Sequence, residues 1–175
     1  MPVIRLFIVV MVFIYLCFQS MIDAKTGYVY RIPNIAMFDI SVALWLYAFF
    51  VAIIKDQIIY IYGIQALLFI LVLYLTTIEL PFFGKIMQPA DAKAFSVIYF
   101  SSVFIMGFDI APFILLVTML AGHTVFILWH KLIKSHYKGV TVKERKPYFP
   151  FITIGYSISM IMVCMVLGHA FRLYW

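Results

Sequence analysis

An all-α, polytopic membrane bundle of about six helices is the fold class this sequence predicts, and three observations predict it. The chain is 66% hydrophobic and only 11% charged, with a mean hydropathy of +1.10. A soluble domain of 175 residues could not hide that much apolar surface. The apolar residues fall in runs close to the roughly 20 residues that a helix needs to cross a bilayer. Aromatic residues make up 19% of the chain, many at the ends of these runs, as interfacial belts require. The whole chain, 1–175, reads as one transmembrane domain with no separate soluble module.

Taken in order, the first span is expected from Val3 to Ser20 and the second from Ile35 to Ile54, with Asn34 as its N-cap after Pro33. Lys55-Asp56-Gln57 forms a tight turn, and the third span runs from Ile58 to about Leu80, where Pro81 ends it. A loop with Lys85, Asp91 and Lys93 leads to a shorter fourth span, Ala94 to Phe108. Asp109 marks the next turn, with Pro112 its one other punctuation, and the fifth span covers Ile110 to Trp129. The polar stretch from His130 to Tyr148 precedes the sixth span, Phe149 to about Phe171.

Sidedness follows from counting Lys and Arg in the loops. The first, third and fifth loops hold ten: Lys25, Arg31, Lys85, Lys93, Lys131, Lys134, Lys138, Lys143, Arg145 and Lys146. The opposite side holds three, Arg5, Lys55 and Arg172. The odd loops are therefore expected in the cytoplasm and both termini outside. Asp23 and Asp91 then share the cytoplasmic face, whatever motif surrounds them.

The same distribution argues against nucleic acid as a partner. The net charge of +6 comes from short loops between spans, where positive residues anchor a chain to anionic lipid. The bilayer is the expected surrounding partner. Cys17 and Cys164 each lie inside an apolar run and read as small buried hydrophobes. No Cys-x-x-Cys pair exists. His123, His130, His136 and His169 lack the spacing that puts metal ligands on one helix face. No metal and no cofactor is expected. With only Arg5 before the first apolar run and no small-residue cleavage site before Asp23, the N-terminus reads as a retained span rather than a removed signal peptide.

Four acids gather near the cytoplasmic end: Asp23, Asp39, Glu79 and Asp91. Ionisable groups at membrane depth are expensive unless paired or used. For Asp39 and Glu79 the favoured reading is a cap, an ion pair or exposure to water. Asp23 and Asp91 are the candidate catalytic pair, because two close carboxylates share one proton and act as acid and base. Lys25 and Lys93, each two residues after an aspartate, either tune that pair or snorkel to the interface.

The residues around both aspartates resemble a known family. Asp23-Ala-Lys-Thr-Gly and Arg31-Ile-Pro-Asn34, Asp91-Ala-Lys93 opening the fourth span, and Lys146-Pro-Tyr-Phe-Pro-Phe-Ile-Thr-Ile-Gly155 entering the last one are similar to the type IV prepilin peptidases. These are membrane aspartic proteases, and the resemblance is in particular to the short, core-only form of tight-adherence (Flp) pilus systems. The order and shared sidedness of the motifs carry the resemblance across essentially the whole chain. The gap from Asp23 to Pro33 is longer than the family's, and Gln88 and Ala90 stand where its Gly-x-Gly-Asp-x-Lys motif has glycine. Those glycines permit close backbone approach or positive φ, so their absence implies an altered or inactive site. The resemblance implies an aspartic endopeptidase, without cofactor, that cleaves prepilin leader peptides at the cytoplasmic face of a bacterial inner membrane. Its partner would be a prepilin-like membrane protein. Relatives that also N-methylate carry an extra zinc-type cysteine region, which this sequence does not show. The sequence leaves the oligomeric state open. Two rival readings are a small ion-coupled transporter using Asp39, Glu79 and Asp91, and an inactive membrane subunit of a pilus or secretion system.

Overall fold

The computed structural model describes residues 2–26, 29–54, 89–136 and 148–167. The expected third span with Glu79, the residues Lys55, Asp56, Lys85 and Gln88, the positions 138–146, and His169 lie outside the described residues. Every element among the described residues is a helix: α1 (Pro2–Thr26), α2 (Arg31–Ile54), α3 (Pro89–Met106), α4 (Ala111–His136) and α5 (Phe149–Leu167). Three stretches, Val3–Thr26, Arg31–Ile54 and Ala111–Trp129, are long and apolar enough to cross a membrane, and Phe149–Met165 is a shorter apolar helix.

The pattern of burial on α1 shows why. Ile8, Val12, Tyr15, Leu16, Gln19 and Asp23 are buried, and their spacing of three and four traces one face of the helix. The opposite face exposes Ile4, Leu6, Phe7, Phe13, Ile14, Phe18 and Met21. The outward face is thus more apolar than the inward one, the reverse of a helix packed in water. Only hydrocarbon suits such a surface, and this marks a membrane protein.

α3 occupies the centre and packs on α1, α2, α4 and α5. Its residues from Ala94 through Val103 are buried without a break, so it has no face to present to lipid. α2 reaches it through a narrow buried stripe, Asn34, Ser41, Trp45 and Ala52. Trp45 stacks on Phe49 at 5.0 Å and meets Phe100 and Phe108 edge-on at 6.3 and 6.1 Å. Aromatic packing closes the end of the bundle away from Asp91.

α4 and α5 form the most extensive helix pair. In lipid, with no hydrophobic drive between helices, small residues allow the close approach that supplies dispersion energy. Gly122 and Gly155 supply it here. A methyl group on Gly122 would sit 2.7 Å from the Phe151 carbonyl oxygen, and one on Gly155 would strike the Thr118 carbonyl oxygen and sit 2.9 Å from the Gly122 nitrogen. One turn away the Thr118 and Ser159 hydroxyls meet at 3.0 Å, sealed from solvent. α5 joins α1 through a second polar contact, Ser20 Oγ to Thr153 Oγ1 at 2.6 Å.

Helix boundaries differ from the sequence expectation in five places. α1 continues to Thr26, so Asp23 lies inside a helix rather than in a loop. α2 begins at Arg31, so Asn34 does not cap it; the Asn34 N–H already donates to the Tyr30 carbonyl. Proline fits the first helical turn because the N–H it lacks would have no partner there. α3 begins at Pro89, which places Asp91 in its first turn. α3 ends at Met106, followed by Gly107, whose φ of 92° suits glycine and whose N–H bonds the Val103 carbonyl at 2.9 Å. α4 extends to His136, so the positions 130–136 continue a helix rather than open a loop.

Candidate active site

The end of α1, the start of α3 and the start of α5 converge. Asp23 stands in the last turn of α1, and Asp91 is the third residue of α3. Each is 6% exposed, and among the described residues they are the two buried carboxylates. Asp39 and Asp109 are exposed. Burial sets Asp23 and Asp91 apart from these two.

Asp23 is bound to the entry of α5. Its Oδ2 accepts the Phe149 backbone N–H at 3.0 Å, in a buried setting. The first N–H groups of a helix have no partner within it, and here each donor is accounted for. Phe149 donates to Asp23, Pro150 has no N–H, and Phe151 and Ile152 donate to the Tyr148 carbonyl at 3.0 and 3.3 Å. Tyr148 cannot cap the helix with its own side chain, so a carboxylate from a distant helix does so.

The helix that carries Asp91 packs on the same entry through Tyr148. Phe95, one turn beyond Asp91, packs edge-on against the Tyr148 ring at 6.5 Å. The Tyr148 phenol is pushed above its ordinary pKa, first by burial and then by the negative charge of Asp91. It stays neutral, and its hydroxyl lies 3.5 Å from His123 Nδ1. Phe126 closes on the ring at 5.1 Å.

Tyr15 packs against the start of α5. Its ring meets Phe149 edge-on at 6.2 Å. Its hydroxyl donates to Asn34 Oδ1 on α2. One turn further along α1, the Gln19 amide holds the main chain of Tyr30 from both sides: Nε2 donates to the carbonyl at 3.0 Å and Oε1 accepts the N–H at 3.1 Å. That clamp fixes how the chain leaves α1 and enters α2, and so where Asn34 stands.

Lys25 is exposed and Lys93 is half-buried. Ala90, one of the two positions without the family's glycine, is half-buried in the first turn of α3. The residues that sequence reasoning passed over are Tyr15, Gln19 and Tyr148. A signal for the first two was present: Tyr15, Gln19 and Asp23 are spaced by four in an otherwise apolar run, which places three polar groups on one helix face. Tyr148 carried no such signal. No protein-family model, curated protein or solved structure matches the chain, and the functional reading stands on these residues themselves.

Proposed function

We propose that this protein is a membrane-embedded aspartic endopeptidase that removes leader peptides from prepilin-like substrates at the cytoplasmic face of a bacterial inner membrane, with Asp23 and Asp91 as its catalytic pair. One observation carries the reading. Asp23, one of the two buried carboxylates among the described residues, accepts the Phe149 N–H, and the helix that carries the other, Asp91, packs through Phe95 on the adjacent Tyr148. Acids that served only as surface charges would have no reason to be buried there.

In this mechanism the pair holds one proton between its members. The ionised carboxylate takes a proton from a water molecule, and the water oxygen attacks the scissile peptide carbon. The protonated carboxyl gives its proton to the leaving amine as the tetrahedral intermediate collapses. The substrate's basic leader would lie among the cytoplasmic loops and its apolar helix in the bilayer. Tyr148, kept neutral, adds no competing charge beside Asp91.

A second reading, a noncatalytic membrane subunit, draws on the Asp23–Phe149 bond, since that bond alone gives Asp23 a structural duty. Co-expression with a prepilin-like precursor separates the two. Conversion of the precursor to mature pilin that depends on both aspartates supports the peptidase. Conversion that persists without them assigns it to another enzyme.

A further inference from the structure

A serine hydroxyl on a helix has a ready acceptor in the carbonyl three or four residues back along its own chain. Ser20, Ser96 and Ser157 use the one four residues back, and Ser41 and Ser159 the one three back. Ser102 uses neither. Its Oγ is sealed in and has no hydrogen-bond partner among the described residues, and the same holds for the Tyr156 hydroxyl. Both residues are 1% exposed. A buried hydroxyl without a partner costs free energy. Alanine and phenylalanine would fill nearly the same space without that cost.

Packing turns the two residues toward each other's helices. Asp91, Phe95, Ile98 and Ser102 follow one another at spacings of four, three and four, so they share one face of α3. Phe95, on that face, packs on Tyr148 at the entry to α5. Around α5, Gly155 and Ser159 meet α4, and Thr153 meets α1 through Ser20. Tyr156 lies on the side between these two, in one buried core with Ile98 and Ile152, and α5 packs on α3 as well. The levels match too. Both helices start at this end of the bundle, with Ser102 seven residues past Phe95 and Tyr156 eight past Tyr148. At about 1.5 Å per residue, each lies roughly 10–12 Å beyond the Phe95–Tyr148 contact. A long helical side chain leans back toward the start of its helix, which offsets the one-residue difference.

We propose that Ser102 Oγ and Tyr156 OH together hold one internal water molecule between α3 and α5. The two hydroxyls are not bonded to each other. A water that donates to one and accepts from the other satisfies both, and buried waters take two to four such partners. A charged ligand does not fit. The charged residues of α3 are Asp91 and Lys93 in its first turns, and α5 has none, so an ion would be buried without a counter-charge. The water ties the enclosed helix α3 to the last helix in the depth of the bundle.

The test uses the full chain purified in detergent and does not depend on peptidase activity. In a wild-type structure at a resolution that shows ordered water, one water is expected within hydrogen-bonding distance of both oxygens. An empty space there, or a direct Ser102–Tyr156 bond, overturns the proposal. Ser102→Ala and Tyr156→Phe each keep the shape and remove one hydroxyl. Each is expected to lower the melting temperature by about 2–4 °C, because the water loses an anchor and the remaining hydroxyl loses its partner. The double variant should melt no lower than the less stable single one, since it leaves no hydroxyl unpaired. A single variant that melts at or above the wild type would show that its hydroxyl had no partner to lose. Drops that add in the double variant would show two independent sites. Either result overturns the bridge.

Discussion

The Asp23 carboxylate and the Phe149 N–H, 126 residues apart in sequence, are joined by a buried hydrogen bond of 3.0 Å. On the peptidase reading, Asp23 has two separable duties. As a helix cap it needs only an acceptor oxygen; as half of a catalytic pair it needs a titratable carboxyl. Asparagine provides the first without the second, and it caps helices about as well as aspartate. Asp23→Asn is therefore expected to keep wild-type thermal stability in detergent and to lose precursor cleavage. Asp23→Ala should lose cleavage and, in addition, about 1 kcal/mol of stability. Residual cleavage in Asp23→Asn near the wild-type rate would leave Asp23 as a cap alone.

Asp91→Asn is expected to abolish cleavage while membrane abundance stays normal. Because the two carboxyls act as one unit, the double variant should be scarcely worse than either single one. The mass of the pilin precursor in membranes from each variant reports the result. Losses that multiply in the double variant would show two independent sites of action.

Asp39 is exposed on α2 and stands outside the cluster around Tyr148. Asp39→Asn is expected to lower cleavage less than either change to the pair, and the same is expected of Glu79→Gln. If Asp39→Asn stopped processing while Asp91→Asn did not, the catalytic pair would be wrongly chosen. An ion-coupled transporter would then regain ground.

Gly155→Ala drives a methyl group into the Thr118 carbonyl and the Gly122 backbone, neither of which can swing aside. Overpacking of this kind costs on the order of 1–3 kcal/mol. The expected outcome is a lower melting temperature in detergent, and a smaller drop for Gly122→Ala, whose contact is confined to the Phe151–Ile152 backbone. Equal stability of Gly155→Ala and wild type would mean that α4 and α5 sit further apart.

The ten-to-three bias of Lys and Arg predicts that reporters or cysteine labels at Lys25, Lys85 and Lys138 report the cytoplasm. An external label at Lys85 would put Asp91 on the wrong face and separate it from Asp23.

The two aspartates were legible in the sequence because a carboxylate is conspicuous in an apolar run. Their setting was less so. Met21-Ile-Asp-Ala-Lys-Thr26 contains no helix breaker before Gly27, and α1 carries through it; polarity suggested a loop where the backbone had no cause to form one. Pro33 suggested a boundary, although the first helical turn accepts proline. Gly107 was overlooked beside the more visible Asp109, yet its positive φ is what turns the chain. The contacts Asp23–Phe149 and Tyr15–Asn34 depend on how helices stand against one another. No local pattern encodes that, and the low contrast between lipid-facing and inward faces removes the amphipathic signal that would help in a soluble bundle.

The enclosure of α3 bears on how the protein is made. With Asp91, Lys93, Ser96, Ser101 and Ser102 along its length, α3 falls outside the helices apolar enough to cross a membrane by composition. Its seat in the bilayer depends on α1 and α2, which are synthesised earlier, and on α4 and α5, which emerge from the ribosome later. A nascent chain released before α5 would hold Asp91 on a helix with no settled place and leave Asp23 without Phe149. On the peptidase reading, biogenesis itself acts as a safeguard: Asp23 gains its Phe149 partner only in a chain that has finished α5, and an incomplete copy would carry no assembled pair.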